Sequence, residues 1–397
     1  RSHGSEVFNA WAVAAHLQPR SGGQVIFCGL PLFHVNGQLV TGLVPWTQGD
    51  HVILGTPHGY RGEGVIPRFW EMVEHFGINL FSGVPTVYAA LLQNEWQGCD
   101  LSSLRYAMCG AAPMPAELFR EFERRTGLKI LEGYGLTEGT CVSSINPPHG
   151  ERRIGSIGLR IAYQNMRAVV LDDSGEYLRD ANVDEIGLIT ISGPNVFEGY
   201  LEERHNQGLW IDIEGQRWLN TGDLGRQDAQ GYFWLTGRKK ELIIRGGHNI
   251  DPKQIEEALQ AHPAVALAAA IGSPNAYSGE VPVAYVQLRP GQVCNAEELE
   301  AFAHLNISER AAVPKRIEIL EALPLTAVGK IFKPALLQRE IAKVVQEEVE
   351  RLGLSNIAVE VVQDNRRGHV ACIRAGTAQE VLAPLLGRYS FQTEWLN

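Results

Sequence analysis

The segment LEGYGLTEGT, residues 131–140, combines residue types that bind phosphorylated ligands. An apolar run ends in Gly133, Tyr134 and Gly135, and glycines there let the chain bend and a ligand approach the backbone. The hydroxyl of Thr137 can donate to a phosphate oxygen, and the carboxylate of Glu138 is an oxygen ligand that suits Mg²⁺. On spacing alone, a polar turn before a helix is the more frequent explanation of such a segment.

Two further segments carry charge that suits a nucleotide. In NTGDLG, residues 220–225, Asp223 sits on a glycine-flanked turn and can accept hydrogen bonds from the two hydroxyls of a ribose. An Asx-turn is at least as good an explanation. The segment LTGRKKELIIRGGHN, residues 235–249, is locally basic in an acidic chain and suits a polyphosphate, although a solvated hairpin explains it equally well.

Lys330 lies in the segment LPLTAVGKIFK, residues 323–333. No glycine-rich turn precedes the Gly-Lys pair and no Ser or Thr follows it, so the segment is not a phosphate-binding P-loop. A lysine on a loop that contains glycine can move a positive charge onto a developing anion. Taken alone, it is one exposed lysine among many.

Alternating strands and helices must position these residues. Apolar runs that close on glycine, as buried parallel strands do, occur at 24–30, 51–55, 78–83, 104–110 and 128–135. Helical patterns lie between them at 65–76, 85–96 and 115–125. This alternation predicts a parallel α/β sheet with its ligands at the carboxyl ends of the strands.

The pattern changes further along the chain. Residues 151–236 alternate as antiparallel strands, and a small α+β domain follows from residue 237. Two more strands and a helix are expected after residue 350. We therefore predict an α/β large domain with a parallel sheet and a β-rich subdomain (1–236), a small α+β domain (237–345) and a ββα appendage of unknown role (346–397).

Composition excludes some function classes. The net charge of −10 gives no argument for nucleic acid or an anionic membrane surface. The longest apolar run, residues 264–271, is far shorter than the roughly 20 residues that cross a bilayer, so no transmembrane segment is expected. The six cysteines form no CxxC pair and favour a cytoplasmic protein. The chain opens on Arg1 in what reads as the interior of a domain, so we expect an N-terminal part to be missing.

In order along the chain, seven segments resemble the adenylate-forming superfamily of acyl-CoA synthetases, luciferase-like enzymes and peptide-synthetase adenylation domains. They are PLFHVNG (31–37), CGAAPMP (109–115), YGLTE (134–138), GSIG (155–158), NTGDLG (220–225), GRKKELIIRGGHNIDPKQIE (237–256) and PLTAVGKIFK (324–333). The resemblance implies that a carboxylate attacks ATP to give an acyl-adenylate and pyrophosphate. Coenzyme A then displaces AMP. ATP, Mg²⁺ and CoA are the ligands implied.

The resemblance also implies a role for each matching residue. Lys330 would bridge the carboxylate and the phosphate during adenylation, Thr137 would bind phosphate, and Glu138 would ligate Mg²⁺. His34 would lie near the carboxylate. The small domain would rotate about Lys240 between the two half-reactions. The nucleotide site would comprise Gly110, Ala111, Ala112, Tyr134, Asp223, Leu235 and Arg238, and the pantetheine tunnel would comprise Gly246, Gly247 and Asn249.

This resemblance constrains the identity of the acid, the activity of this chain by itself and its oligomeric state less closely. The family's Ser/Thr/Gly-rich phosphate loop is absent and would lie before Arg1. The segments expected to form the acyl pocket are apolar and contain no Lys or Arg, which favours a medium-chain or long-chain fatty acid. A carrier protein instead of CoA, a non-catalytic fragment and a homodimer remain open alternatives.

Overall fold

The structure is a computed structural model that describes residues 1–17, 23–96, 98–172, 174–238, 241–364 and 367–396. Contacts within the chain divide it into two compact units. The first comprises Arg1–Lys239 with Ala327–Lys330, and the second comprises Lys240–Thr326 with Ile331–Asn397.

A seven-stranded sheet forms the centre of the first unit. Its strands are β1 Val25–Cys28, β2 His51–Leu54, β3 Leu80–Gly83, β4 Tyr106–Cys109, β5 Lys129–Tyr134, β6 Ser144–Ile145 and β7 Leu159–Arg160. The order is β2-β1-β3-β4-β5-β6-β7. The first five strands are parallel and the last two are antiparallel. The predicted parallel sheet is confirmed.

Helices cover both faces of this sheet. They are α1 His3–His16, a π-helix Asn36–Leu43, α2 Val44–Thr47, α3 Phe69–Phe76, α4 Pro85–Leu91 and α5 Ala116–Thr126. Apolar residues of α1, the π-helix and α2 pack on one face, and those of α3, α4 and α5 pack on the other. The π-helix was not expected. Gly37 is required there, because a Cβ would lie 2.6 Å from the carbonyl oxygens of Leu30 and Pro31.

The predicted β-rich subdomain is also confirmed. Its strands are β8 Asn165–Leu171, β9 Tyr177–Asp180, β10 Gly187–Ser192, β11 Trp210–Ile213, β12 Gln216–Gln227 and β13 Phe233–Arg238. They form an antiparallel sheet in the order β11-β12-β10-β8-β9, and β13 pairs with β12. The boundary predicted between residues 236 and 237 falls inside β13.

The second unit begins with the predicted α+β arrangement. It contains β14 Ile243–Arg245, β15 His248–Ile250, α6 Pro252–Gln260, β16 Val265–Asn275, β17 Gly279–Leu288, α7 Ala296–Asn306 and β18 Ile317–Leu320. The sheet order is β15-β14-β17-β16, and β18 pairs in parallel with β17. Apolar residues of α6 and α7 form a core against the sheet.

The C-terminal part of the second unit differs from the ββα prediction by one strand. It contains α8 Lys333–Arg351, β19 Ala358–Asp364, β20 Gly368–Arg374, α9 Gln379–Leu386 and β21 Gln392–Leu396. Strand β21 pairs in parallel with β20, a non-local pairing that its short sequence did not indicate. Helix α8 runs through the boundary predicted after residue 345 and packs on this three-stranded sheet.

Two expectations from composition can be compared with the structure. All six cysteines are free thiols, and those at positions 28, 109 and 141 are buried. Among the helices that the structure describes, none combines the length and the apolar character needed to cross a membrane.

A buried carboxylate attaches α8 to the sheet of the second unit. Glu340 is only 1% exposed. It accepts hydrogen bonds from the hydroxyl of Tyr285 and from Nη2 of Arg316, which lies 2.6 and 2.8 Å from its two oxygens. Burial alone would raise the pKa of Glu340, but these hydrogen bonds hold it below its usual value. The carboxylate is therefore charged in the fold and depends on its partners.

Replacing Glu340 with Gln should lower the free energy of unfolding by about 3 kcal/mol, because it removes one partner of a buried ion pair and leaves the other charged. Urea unfolding followed by circular dichroism measures this change. The matched control is Glu347→Gln at an exposed position of the same helix, which should stay within about 0.5 kcal/mol of the parent. Equal effects of the two substitutions would contradict the structural role given to Glu340.

Candidate active site

Three neighbouring parallel strands of the first unit end side by side. Gly83 of β3 pairs with Cys109 of β4, which pairs with Glu132 of β5. The residues that follow include four of those predicted to bind a nucleotide, Gly110, Ala111, Ala112 and Tyr134. The carboxyl ends of parallel strands are where α/β sheets bind ligands, so these residues share the expected edge.

Glycine is needed where β4 ends. The N–H of Gly110 donates to the carbonyl of Gly83 at 3.3 Å. A Cβ on Gly110 would lie 3.3 Å from the carbonyl oxygen of Gly133, a tight contact. Ala111 follows with a φ of 70°, in the left-handed region that few non-glycine residues adopt. The backbone at this edge is thus open to a ligand but fixed in a strained turn.

The carboxylate of Asp223 is held by partners from two different strands. The hydroxyl of Tyr134 donates to its Oδ2 at 2.5 Å, and Nε of Arg238 lies 3.2 Å from its Oδ1. Asp223 on β12 and Arg238 on β13 are direct cross-strand partners. Burial, followed by the charge of Asp223, raises the pKa of Tyr134 far above its usual value, so the phenol stays protonated as a donor.

Asp223 joins the two sheets of the first unit. Tyr134 ends the parallel sheet, whereas Asp223 and Arg238 belong to the antiparallel sheet. Leu235, also predicted to lie beside the nucleotide, is on β13 opposite Gly225. A carboxylate in this position can accept hydrogen bonds from two neighbouring hydroxyls, as a ribose would present them.

Thr137 and Glu138 lie in a 3₁₀ turn, Thr137–Gly139, just beyond β5. Thr137 is exposed and Glu138 is partly exposed. The N–H of Phe197 donates to the carbonyl of Glu138 at 2.8 Å, and the amide of Asn195 donates to the carbonyl of Gly139 at 2.9 Å. The segment that follows β10 therefore holds this turn through two hydrogen bonds to its backbone.

Tyr200 was missed by the sequence analysis. Its hydroxyl donates to Oε1 of Glu138, and burial together with this hydrogen bond raises its pKa to about 12. The ring lies against Phe197 and His205. No short motif marks Tyr200, because the contact joins residues 62 positions apart along the chain.

The carboxylate of Glu138 fits the way proteins hold Mg²⁺ with a nucleotide. The described part of the chain contains no group of three or more His, Cys, Asp or Glu that could form a complete metal site. Mg²⁺ usually takes one or two carboxylates and fills its other positions with water and substrate phosphates. One partly exposed carboxylate, oriented by Tyr200, matches that donor set.

His34 is an uncharged imidazole beside a positive charge. Its Nδ1 accepts the N–H of Asn36 at 3.2 Å. Burial, followed by the charge of Lys330, lowers the pKa of His34 to about 4. The segment that carries Lys330 groups with the first unit, where Thr86 donates to the carbonyl of Gly329 at 2.6 Å. His34 and Lys330, predicted to work at one site, are thus neighbours.

The residues predicted to line a pantetheine tunnel form a tight hairpin in the second unit. Gly246 and Gly247 join β14 to β15 with φ values of 57° and 86°, the left-handed pair of a type I′ turn. A Cβ on either would meet nothing within 4 Å, so the backbone conformation rather than space requires glycine. Asn249 on β15 is exposed. The predicted hinge residue, Lys240, lies outside the described residues.

The comparisons with known proteins agree on one family. A family model described as AMP-binding enzyme matches residues 1–201, and one described as AMP-binding enzyme C-terminal domain matches residues 254–330. A marinolic acid–CoA ligase of Pseudoalteromonas sp. (strain SANK 73390) is 44% identical over 94% of this chain and 57% of its own length. A long-chain-fatty-acid–CoA ligase of Bacillus subtilis (strain 168) is 35% identical over 81% of this chain and 55% of its own.

A solved structure gives the same result. The anthranilate CoA ligase AuaEII in complex with anthranoyl-AMP matches with a TM-score of 0.75 and 27% identity, over 86% of this chain and 64% of that chain. The chain therefore spans somewhat more than half the length of these relatives. Their names agree on the joining of an acid to CoA but differ in the acid.

Removing the charge of Lys330 should raise the pKa of His34. In Lys330→Met we expect a value above about 4 but below about 6.5, because burial, the larger cause, persists. Titration of the histidine ring protons by NMR measures it, and Lys343→Met on α8 is the control.

The lowered pKa of His34 also makes the stability of the fold depend on pH. His34 takes up a proton near pH 6.5 in the unfolded chain but only near 4 in the fold, so its contribution to stability is complete above about pH 6.5 and is lost as the pH falls toward 4. An unchanged pKa of His34 in Lys330→Met would show that the two groups are not neighbours in solution.

Proposed function

Since the chain belongs to the family of AMP-binding enzymes, we propose that it activates a carboxylic acid with ATP and then transfers the acyl group to coenzyme A. The observation that carries the proposal is the buried carboxylate of Asp223, held by Tyr134 and Arg238 beside the ends of three parallel strands. Such a carboxylate suits the hydroxyls of a ribose. The backbone of Gly110, Ala111 and Ala112 and the side chain of Leu235 would complete the AMP site.

In the first half-reaction the substrate carboxylate attacks the α-phosphorus of ATP, forming an acyl-phosphate bond and releasing pyrophosphate. Two anions must approach each other for this attack. His34 is neutral at physiological pH, so the compensating charge falls to Lys330. Thr137 would donate to a phosphate oxygen, and Glu138, oriented by Tyr200, would hold Mg²⁺. The metal would neutralise phosphate charge when bound.

In the second half-reaction the thiol of CoA attacks the acyl carbon and AMP leaves. The exposed Gly246-Gly247 hairpin and Asn249 would bind the pantetheine arm, because a turn without side chains lets a thin chain lie against it. We place the hinge between the half-reactions at Lys240, at the start of a lid domain 237–345. A carrier protein is the alternative thiol, and the names of the relatives favour CoA.

A small cavity of about 40 Å³ is where we propose that part of an alkyl tail lies. It lies on the sheet face that packs against α1, the π-helix and α2. It extends toward the start of β3. That start lies about 10 Å from the carboxyl end of the strand, because a parallel strand rises about 3.3 Å per residue. Its lining is apolar at Ala14, Leu17, Ile26, Val40, Val44 and Met108, and polar at Gln24, Gln48 and Asp50. A medium-chain or long-chain fatty acid is the substrate class that we propose.

The second half-reaction can be tested on this chain directly, because it does not require binding of pyrophosphate. Supplied with an acyl-adenylate and CoA, the chain should release AMP and form the acyl-CoA thioester, detected by liquid chromatography. A phosphopantetheinylated carrier protein offered instead of CoA should remain unloaded. Absence of thioester with CoA, in chain that is folded by circular dichroism, would refute the proposal.

Lys330→Ala separates the two half-reactions. In the full-length protein it should lower acid-dependent pyrophosphate release by about 100-fold or more, the effect of removing a group that stabilises developing charge. Thioester formation from supplied acyl-adenylate should be retained, and Lys343→Ala should affect neither step. Equal losses in both half-reactions would contradict the role given to Lys330.

Filling the cavity should shorten the acids that are accepted. Val44→Phe should lower kcat/KM for dodecanoate by about tenfold or more and leave kcat/KM for butanoate unchanged, because only the longer tail reaches the cavity. Val7→Phe on the exposed side of α1 is the matched control. Loss of activity with both acids in Val44→Phe but not in the control would mean that the cavity does not hold the tail.

A further inference from the structure

The hydroxyl of Thr86 joins two segments that are distant along the chain. Thr86 lies in the first turn of α4, just beyond the carboxyl end of β3, and its Oγ1 donates to the carbonyl of Gly329 at 2.6 Å. The two residues are 243 positions apart. Threonine hydroxyls near helix ends commonly bond to the neighbouring backbone. Here the hydroxyl instead holds a distant loop.

The loop that contains Gly329 has a closed base. Leu325 and Ile331 form an antiparallel bridge, and the N–H of Phe332 donates to the carbonyl of Pro324 at 2.7 Å. These backbone contacts bring the two ends of the loop together. A bond near its tip therefore acts on a short segment whose shape is already restricted.

Gly329 fits closely against the start of α4. It is buried, although Ala327 is exposed and Lys330 is partly exposed. Its φ is 83°, and a Cβ there would lie 3.2 Å from both Oγ1 of Thr86 and Cγ2 of Val84. A side chain at this position would therefore be strained and would press on the group that binds the carbonyl.

The bond to Gly329 also restricts the residue that follows it. The carbonyl of Gly329 and the N–H of Lys330 belong to one planar peptide group, so holding the carbonyl limits where the Lys330 backbone can lie. The ammonium of lysine is carried on a flexible four-carbon stem, so a fixed backbone confines the region that it reaches. Burial lowers the pKa of His34 and the charge of Lys330 lowers it further, which places that region beside the imidazole.

We propose that Thr86 is a positioning residue for the first half-reaction, which holds Lys330 at the site through the carbonyl of Gly329 and releases it for the second. This inference rests on the proposed function, in which Lys330 acts only while ATP is attacked. Thr86 acts through Lys330 and does not touch the reacting atoms. One hydrogen bond between uncharged groups suits a reversible contact, because it shifts an equilibrium by about fivefold and does not lock it.

Removing the hydroxyl with little change of side-chain shape tests whether it holds Lys330. In Thr86→Val, Lys330 should spend less time beside His34, so the pKa of His34 should rise from about 4 toward the value expected for Lys330→Met. Thr86→Ser keeps the hydroxyl and should keep the parent's pKa. Titration of the histidine ring protons by NMR measures both in this chain without substrate. An unchanged pKa of His34 in Thr86→Val would overturn the inference.

Thr126→Val is the matched control. The hydroxyl of Thr126 donates to the carbonyl of Phe122 at 2.7 Å at the end of α5, so this variant also loses a partly buried hydroxyl–carbonyl bond. Urea unfolding should show similar losses of stability in Thr126→Val and Thr86→Val, whereas Thr126→Val should leave the pKa of His34 unchanged. An equal rise of that pKa in both variants would mean that lost stability moves it, and would overturn the inference.

The two half-reactions give a second readout in the full-length protein. Thr86→Val should lower acid-dependent pyrophosphate release by about fivefold, and Thr86→Ser should restore most of it. Formation of the thioester from supplied acyl-adenylate and CoA should be retained in both variants. Equal losses in the two half-reactions would give Thr86 a purely structural role and contradict the positioning role.

The inference and the proposed function fail in different ways. If Lys330→Ala lowers pyrophosphate release and Thr86→Val does not, the proposed function stands and the inference is wrong. If the full-length parent carries out neither half-reaction while the pKa of His34 still rises in Thr86→Val, the contact exists but the proposed function is wrong, and the positioning role falls with it.

Discussion

The buried carboxylate of Asp223 is the interaction on which the first unit depends. A charge that is 5% exposed must be paired, and its partners come from two sheets, the phenol of Tyr134 and the guanidinium of Arg238. The same bonds that satisfy Asp223 therefore join the parallel sheet to the antiparallel sheet. Under the proposed function, structural stability and ligand recognition share one carboxylate, so a shift of one sheet against the other would also change the proposed nucleotide site.

The turn at Glu138 shows a different way of holding a functional group. Asn195 and Phe197 bind its backbone, and Tyr200 binds its carboxylate. None of these three partner residues lies in the segment that carries Glu138. A carboxylate on an otherwise exposed turn acquires a defined orientation because a neighbouring loop, rather than a local helix, supplies the donors.

Much of this arrangement could be predicted from the sequence, and the limits have physical reasons. Apolar runs ending in glycine predicted the parallel strands. The acidic residue of NTGDLG indicated a charged site, but the predicted turn was wrong, because Asp223 lies within strand β12. The π-helix was missed because its five-residue hydrogen bonds have no sequence period of their own. Strand β21 and the contact of Tyr200 were missed because both depend on pairing between distant residues.

The π-helix has a consequence for how this site can change. An α-helix advances by about 100° per residue, and a π-helix accommodates one extra residue in a turn. Deleting one residue within Asn36–Leu43 would restore an α-helix and rotate the side chains on one side of the deletion by about that angle relative to those on the other. If the deleted residue lies between Asn36 and Val40, and Val40 and Val44 keep their packing, the side chain of Asn36 is the one that turns. Chain length at this point, and not only residue identity, can therefore change the direction of the Asn36 side chain.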